Sequence, residues 1–356
     1  IVPKVLTRCL NVSKDQSINY DDMVWLPIAA NLPVRKYDLL LVDEAQDLNR
    51  CQQQLALKAS RRLILCGDDM QAIYGFAGAD SDSLNKMRDI LERREGGVKV
   101  LPLTVTRRCG KRIVQEAQSM VRDFTAHESN HEGHVYNLVR EREGKQCDCG
   151  SVGVYNPDQC PKCNGLGIIK PSYRQIVSDN DMVICRVNAP LVSECFRFLA
   201  EGRKATIQGR NVAAGLINTI TRQKATDANE LRLKLQLWCD KKLTKELSKD
   251  NPSENRLMAL SDKFDCLQVF VDGCETVQEV LDRINKVFTD DQDAPGIKLS
   301  SIHRAKGLES RRVFFLNGKD SPCPHPMAEQ PWEVEQEENL WYVAVTRAIE
   351  ELVHVV

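Results

Sequence analysis

The chain has 356 residues, 42% of them hydrophobic and 28% charged, enough apolar material for two or three domains with their own cores. Its 49 Lys and Arg oppose 50 Asp and Glu, a net charge of −1. That balance excludes a polybasic nucleic-acid tail and a strongly acidic disordered chain, but not a local basic groove. No apolar run approaches the ~20 residues of a membrane helix. The first residues, Ile1-Val2-Pro3-Lys4, carry neither the ordered regions of a secretory signal nor an initiator Met. The expectation is a cytoplasmic or nuclear, non-secreted chain, processed or cut from a longer one.

Residues 37–42 and 62–66 are short apolar runs that end in acids or in Gly67-Asp68-Asp69. Such runs suit strands buried on both faces of a parallel sheet. Helical patterns near 50–60 and 83–95 lie between and after them, so an α/β domain is expected. A second alternating series follows. Strands are predicted at Val98–Leu103, Asp181–Val187, Ala205–Ile207, 297–302, 311–316 and 351–356, and helices at Lys111–Phe124, Ala189–Glu201 and about 335–350. Two insertions interrupt it: a Gly-, Cys- and Pro-rich stretch at 144–170, and a charged stretch at 211–290 that reads as helices.

Fourteen cysteines in a long chain without an export signal point to reduced thiols and a metal site rather than a disulfide framework. Ten are scattered, several in apolar runs (Cys66, Cys185, Cys195), and are expected to pack in cores. The other four, Cys147, Cys149, Cys160 and Cys163, form C-x-C…C-x-x-C with ten residues between the pairs. Two close thiolate pairs can close a tetrahedral structural Zn²⁺ site, and neighbouring glycines permit the tight turns. Disulfides or an iron–sulfur cluster are alternatives. Such a knuckle could touch DNA or simply staple a loop too small to core itself. Cys160-Pro161-Lys162-Cys163-Asn164-Gly165 also resembles one zinc repeat of the DnaJ cysteine-rich type.

Val42-Asp43-Glu44-Ala45-Gln46-Asp47 places acids at the carboxyl end of a predicted strand, where open α/β sheets bind ligands. A solvated helix N-terminus favours acids too. The string Asp-Glu-Ala-Gln-Asp nevertheless resembles the nucleotide-hydrolysis motif of superfamily 1 helicases. Three further blocks resemble motifs of the UvrD/Rep/PcrA-like branch, in the family's order. They are Gly67-Asp68-Asp69-Met70-Gln71-Ala72-Ile73-Tyr74-Gly75-Phe76-Ala77-Gly78-Ala79, then Ser301-Ile302-His303-Arg304-Ala305-Lys306-Gly307-Leu308-Glu309, then Leu340-Trp341-Tyr342-Val343-Ala344-Val345-Thr346-Arg347-Ala348. Together they span 37 to 356, with both insertions outside the match.

The resemblance implies tandem RecA-like domains with parallel sheets, ATP and Mg²⁺ as cofactors, and 3′-to-5′ movement on single-stranded DNA. Asp43 would hold Mg²⁺, Glu44 would act as general base, and Gln71 would sense the γ-phosphate. Arg108 and Arg347 would be arginine fingers. Gly307 and Glu309 would lie at the nucleotide, Glu309 accepting from the ribose. Tyr74 and Phe76 would stack on bases, a sequence-tolerant grip, with Asn188, Ser301 and His303 also toward DNA. Asn188 reads equally as a helix N-cap. Two positions depart from the family pattern: Ala77 stands where an Arg is usual, and Arg107 where a Tyr usually stacks on adenine. A guanidinium plane can stack as well.

A phosphate loop, G-x-x-x-x-G-K-[ST], occurs nowhere in the 356 residues. The family places it well before Asp43, so the expectation is a helicase fragment lacking that loop and inactive by itself. The expected domains are the back of a first RecA-like domain at 1–104 and a second at 105–210 plus 291–356. They carry a Cys₄ zinc knuckle at 144–170 and a helical insertion at 211–290. Expected partners are single-stranded DNA, junctions with duplex, and replication or repair proteins, without a membrane. Replication, repair, recombination and phage or viral DNA processing all share such a motor. The rival from another class is a non-catalytic module, derived from a helicase, that binds nucleic acid or protein.

Overall fold

The structure is a computed structural model that describes residues 10, 18–75, 82–94, 96–139, 145–146, 168–169, 172–249, 254–291, 294–318 and 322–356. The chain divides into two compact units, Ile1–Pro102 and Leu103–Val356.

In the first unit a helix, Tyr20–Ala29, begins at a capping box. The Asp22 amide donates to Asn19 Oδ1 at 2.8 Å, and the Asn19 amide returns to Asp22 Oδ2 at 3.1 Å. Strands β1 (Tyr37–Val42) and β2 (Ser60–Leu65) pair in parallel through the helix Arg50–Ala59, whose start is fixed by a second box between Asn49 and Gln52. Continuous apolar runs predicted burial on both faces. Instead Leu39, Leu41 and Ile64 are exposed, since a two-stranded sheet covers little of either face. Cys66, expected in a core, is exposed at the end of β2.

The strand predicted over Val98–Leu103 is absent, and Leu103 is 95% exposed. Apolar content cannot hold an extended segment without a ladder partner. Pairing begins only at β3 (Val105–Thr106), which lies parallel to β4 (Thr125–Ala126). The helix expected to reach Phe124 is Lys111–Ala117. Past it the chain turns, and Gln118 Nε2 donates to the Phe124 carbonyl at 2.8 Å.

The second unit is built on seven parallel strands. They are β5 (His134–Leu138), β8 (Met182–Cys185), β9 (Ala205–Gln208), β10 (Phe288–Thr289), β11 (Ile297–Ser301), β12 (Ser310–Leu316) and β13 (Ala348–Val355). A short antiparallel pair, β6 (Lys145–Gln146) and β7 (Ile168–Ile169), stands apart. The spatial order is β10-β9-β11-β8-β12-β13-β5. Central strands carry apolar residues on both faces, as a sheet covered on two sides requires: Val183, Ile184, Leu299, Phe314, Phe315 and Val353 have no measurable exposure. Each such side chain contributes ~1.5–3 kcal/mol relative to leaving it in water. β5 went unpredicted because an edge strand alternates and carries no continuous apolar run.

The stretch 211–290 is helical over most of its described residues, with Arg210–Gln223, Ala228–Leu247, Glu254–Val271 and Val277–Val287 packed beside the sheet core, but its end, expected to be helical, instead pairs with β9 as β10. Asp227 and Thr276 cap two of these helices through their side chains. Among the described residues no helix is long and apolar enough to cross a membrane.

Candidate functional site

In the first unit the predicted residues gather at the carboxyl ends of β1 and β2. Asp43 and Glu44 follow β1 directly and are exposed. Glu44 adopts a left-handed backbone, φ 50°, which is uncommon for a residue other than glycine. In that turn the Glu44 amide donates to Asp43 Oδ1 at 2.9 Å. The loop after β2 is pinned beside them: the Ala45 amide donates to the Cys66 carbonyl at 2.9 Å, and Cys66 to Val42 at 2.8 Å.

Gln71 closes a one-turn 3₁₀ helix, Asp69–Gln71, and its Nε2 donates to Asp68 Oδ2 at 2.9 Å. Tyr74 is half-buried three residues on. Phe76 lies outside the described residues. One residue of this site escaped the sequence reading. Gln46, 1% exposed, donates from Nε2 to Glu44 Oε2 at 2.6 Å and accepts on Oε1 from the Asp68 amide at 3.1 Å. Its only sequence signal was its place inside the Asp-Glu-Ala-Gln-Asp string, where the acids drew attention first.

In the second unit the predicted residues separate to opposite edges of one sheet. Glu309 precedes β12, Arg347 precedes β13, and the Ser310 amide donates to the Arg347 carbonyl at 3.0 Å. Arg108 joins them there, its Nε 2.6 Å from Glu309 Oε2. Both partners are more than a third exposed, so the pair adds little stability. Arg107 beside it is exposed.

Arg347 is different, at 1% exposed. Its Nε donates to the Val343 carbonyl at 3.0 Å, Nη1 to the Leu308 carbonyl at 3.2 Å and Nη2 to Thr346 Oγ1 at 3.1 Å. Burial, and then the nearby Arg108, lower its guanidinium from the ordinary value. Gly307 has φ 82° and open space where a side chain would project.

Residues at the carboxyl ends of β8 and β11 form the other edge. Ser301 is buried there opposite Cys185. His303 follows in a one-turn helix, Ile302–Ala305. Burial, with Arg186 adding to it, pushes the His303 imidazole down to about 3, so it is neutral at physiological pH. Arg186 is fixed by a bidentate pair to Glu337, with Nε at 2.9 and 3.0 Å and Nη2 at 2.6 Å.

Asn188 occupies the N-cap position of the helix Ala189–Ala200, yet it makes no cap bond with its own side chain. Asp262 supplies the cap instead, accepting from the Asn188 and Ala189 amides at 2.8 Å each and from Asn188 Nδ2 at 2.9 Å. The block 301–309 runs from the carboxyl edge at β11 to the amino edge before β12, and so joins the two groups.

The four clustered cysteines, Cys147, Cys149, Cys160 and Cys163, lie outside the described residues. Among the described residues, no group of three or more His, Cys, Asp or Glu is placed to hold a metal. A nucleotide-borne Mg²⁺ needs only one or two carboxylates besides phosphate and water, and the exposed Asp43 fits that donor set.

Two family models match the chain. The UvrD-like helicase C-terminal domain matches residues 83–355, and the UvrD/REP helicase N-terminal domain matches residues 11–91. The ATP-dependent DNA helicase PcrA of Bacillus subtilis is 29% identical over 121 residues, covering 31% of this chain and 16% of that protein. PcrA of Staphylococcus aureus is 23% identical over 442 residues of alignment, covering 96% of this chain and 59% of its own. The RecBCD enzyme subunit RecB of Mycobacterium tuberculosis is 33% identical over 120 residues, 32% of this chain and 10% of that one. The chain therefore spans less than two thirds of each of these relatives.

Proposed function

The chain belongs to the UvrD-like helicase family, and from that premise we propose that it forms part of an ATP-dependent motor moving 3′ to 5′ on single-stranded DNA. The observation that carries the reading is the two-edged arrangement of the second unit. Arg108, Glu309 and Arg347 share the amino edge of the sheet, Asn188, Ser301 and His303 lie at the carboxyl edge, and one short block connects them. An anion engaged at the first edge would thus act through 301–309 on the groups proposed to face DNA.

The residues divide the work as follows. Asp43 would hold Mg²⁺, which supplies neutralisation of phosphate charge when bound. Glu44 would take the proton of the attacking water, and Gln71 would register the terminal phosphate. Arg108 would exchange Glu309 for phosphate oxygens. Glu309, once released, would accept from the ribose hydroxyls, and Arg107 would stack on the base. Arg347 would have to share or release one of its carbonyl contacts to reach phosphate.

Tyr74 and Phe76 would stack on bases with Asn188, Ser301 and His303 nearby on the strand. Residues 1–104 would then belong to a first RecA-like domain, 105–210 with 291–356 to a second, and 211–290 to a helical insertion. Replication, repair, recombination and phage or viral DNA processing remain the candidate processes for such a motor.

Polarity tests this directly. The full-length gene product should unwind a duplex bearing a 3′ single-stranded tail and leave one with only a 5′ tail intact. The reverse preference would overturn the direction. Binding without unwinding of either would favour a nucleic-acid or protein-binding module.

A structural zinc site is proposed at Cys147, Cys149, Cys160 and Cys163. The fit rests on the thiolate spacing and on the flanking ladder, where Lys145 pairs with Ile169 and Gln146 with Ile168. That ladder draws together the two ends of the segment holding all four cysteines. Protein purified under reducing conditions should contain about one zinc per chain; metal-free, folded protein would refute the site.

A further inference from the structure

The geometry points to Gln46 as a positioning residue that fixes the Glu44 carboxylate and couples it to the loop carrying Gln71. The inference rests on the reading of Glu44 as general base. Gln46 is 1% exposed at the junction of three segments, and both ends of its amide are engaged. Its Nε2 donates to Glu44 Oε2 at 2.6 Å, a short charge-assisted bond if the carboxylate is ionised. Its Oε1 accepts from the Asp68 amide at 3.1 Å. Asp68 in turn accepts from Gln71 Nε2 at 2.9 Å and from the Met70 amide at 3.0 Å. A continuous chain of bonds thus runs Glu44–Gln46–Asp68–Gln71, from the proposed base to the proposed phosphate sensor.

Chemistry favours Gln at this position. The residue must donate to a carboxylate on one side and accept from a backbone amide on the other, and a primary amide does both. Glu would accept from Asp68 yet oppose Glu44 with like charge. Met fills similar volume and does neither. The packing is equally specific. A Cβ placed on Gly67 would meet Gln46 Oε1 at 2.5 Å, so the loop after β2 keeps a glycine there to let the amide through. Below, the Gln46 neighbourhood is anchored by Ser83, whose Oγ donates to the Ala45 carbonyl at 2.8 Å and accepts from Gln53 Nε2 at 3.1 Å.

A carboxylate that must take a proton from a positioned water gains from a fixed orientation. A shift of the Gln71 loop upon contact with phosphate would be transmitted to Glu44 by the same amide. Gln46 touches neither substrate nor metal in this scheme; it acts through Glu44.

The test uses full-length protein and four variants: Gln46→Met, Gly67→Ala, Glu44→Gln and the Glu44→Gln/Gln46→Met double. Gln46→Met is expected to lower kcat for ATP about 10–100-fold, the usual effect of removing a supporting bond behind a reacting group, with KM changed little. Gly67→Ala alters no polar group but displaces the Gln46 amide, and it should lower kcat in the same direction. It stands as the second probe should Gln46→Met fold poorly. The double variant should be no slower than Glu44→Gln, because the side chain that Gln46 still holds there can no longer act as a base. A second readout needs no turnover: hydrogen exchange of the Asp68 amide should quicken in Gln46→Met without nucleotide. Normal kcat and unchanged exchange in Gln46→Met would overturn the proposal, as would a double variant slower by the full product of the single losses. Normal turnover in Glu44→Gln would instead remove the general base on which the inference rests.

Discussion

Replacing Glu44 by Gln in the full-length protein is expected to cut ATP turnover about 10²–10⁴-fold, the range for loss of a general base, while single-stranded DNA binding survives. An amide has almost the shape of the carboxylate but cannot take a proton at neutral pH. Its oxygen can still accept from Gln46 Nε2, which lies 2.6 Å from the carboxylate, so the local fold should persist. The exposed position of Glu44 at the carboxyl end of β1 also argues against a structural collapse. Single-turnover hydrolysis and fluorescence anisotropy with an oligonucleotide would read the two properties separately. Normal hydrolysis would remove Glu44 from the role, and loss of DNA binding would show that the residue supports the fold rather than the chemistry.

The second large effect concerns stability, away from the proposed site. Glu194 lies on the helix Ala189–Ala200 with a fully buried side chain. Three donors converge on it. Tyr173 donates its hydroxyl, Arg174 gives Nε at 2.7 Å and Nη2 at 3.0 Å, and Arg197 gives Nη1 at 3.1 Å. The pairing raises the Arg174 guanidinium above its ordinary value. Glu194→Ala should destabilise the second unit by about 3–5 kcal/mol, since it leaves a mostly buried cation and a buried phenol without their acceptor. Tyr173→Phe removes one donor and keeps the ring against Phe198 and Phe314, so it should cost about 1 kcal/mol. Urea unfolding would measure both. Equal losses in the two variants would mean that the Tyr173 hydroxyl bond, rather than the arginine pairs, accounts for what Glu194 contributes.

Much of the fold was legible where local and long-range signals agree. The run at 311–316 became β12 because a central strand of a parallel sheet is apolar throughout, whereas the run at 37–42 became β1 with only β2 beside it and much of its apolar surface exposed. Helix Ala189–Ala200 starts where Pro190 and Asn188 announce it. The failures share one cause, a dependence on partners that a local window cannot see. Val98–Leu103 has the composition of a strand but no neighbour to pair with among the described residues. β5 has neighbours but only an edge strand's alternating pattern. Helix Tyr20–Ala29 went unpredicted as well, although the Asn19–Asp22 capping box was readable.

The site was partly legible for the same reason. Motif blocks named Asp43, Glu44, Gln71, Arg108, Glu309 and Arg347, but spacing carries no information on depth. It gave no sign that Arg347 is buried with its donors on Val343, Leu308 and Thr346, or that Arg108 pairs with Glu309. Nor could it show that the amide of Asn188 is turned to Asp262, 74 residues away in the chain. Gln46 was overlooked because its importance lies in what it connects rather than in its own chemistry.

The most direct measurement is the rate of ATP hydrolysis by the full-length gene product with and without single-stranded DNA, beside its Glu44→Gln variant. A motor built on these residues should hydrolyse slowly alone and speed up when oligo(dT) is added, with no such rise in the variant. A rate that ignores DNA, or that persists in Glu44→Gln, would contradict the assignment of this constellation as the motor site.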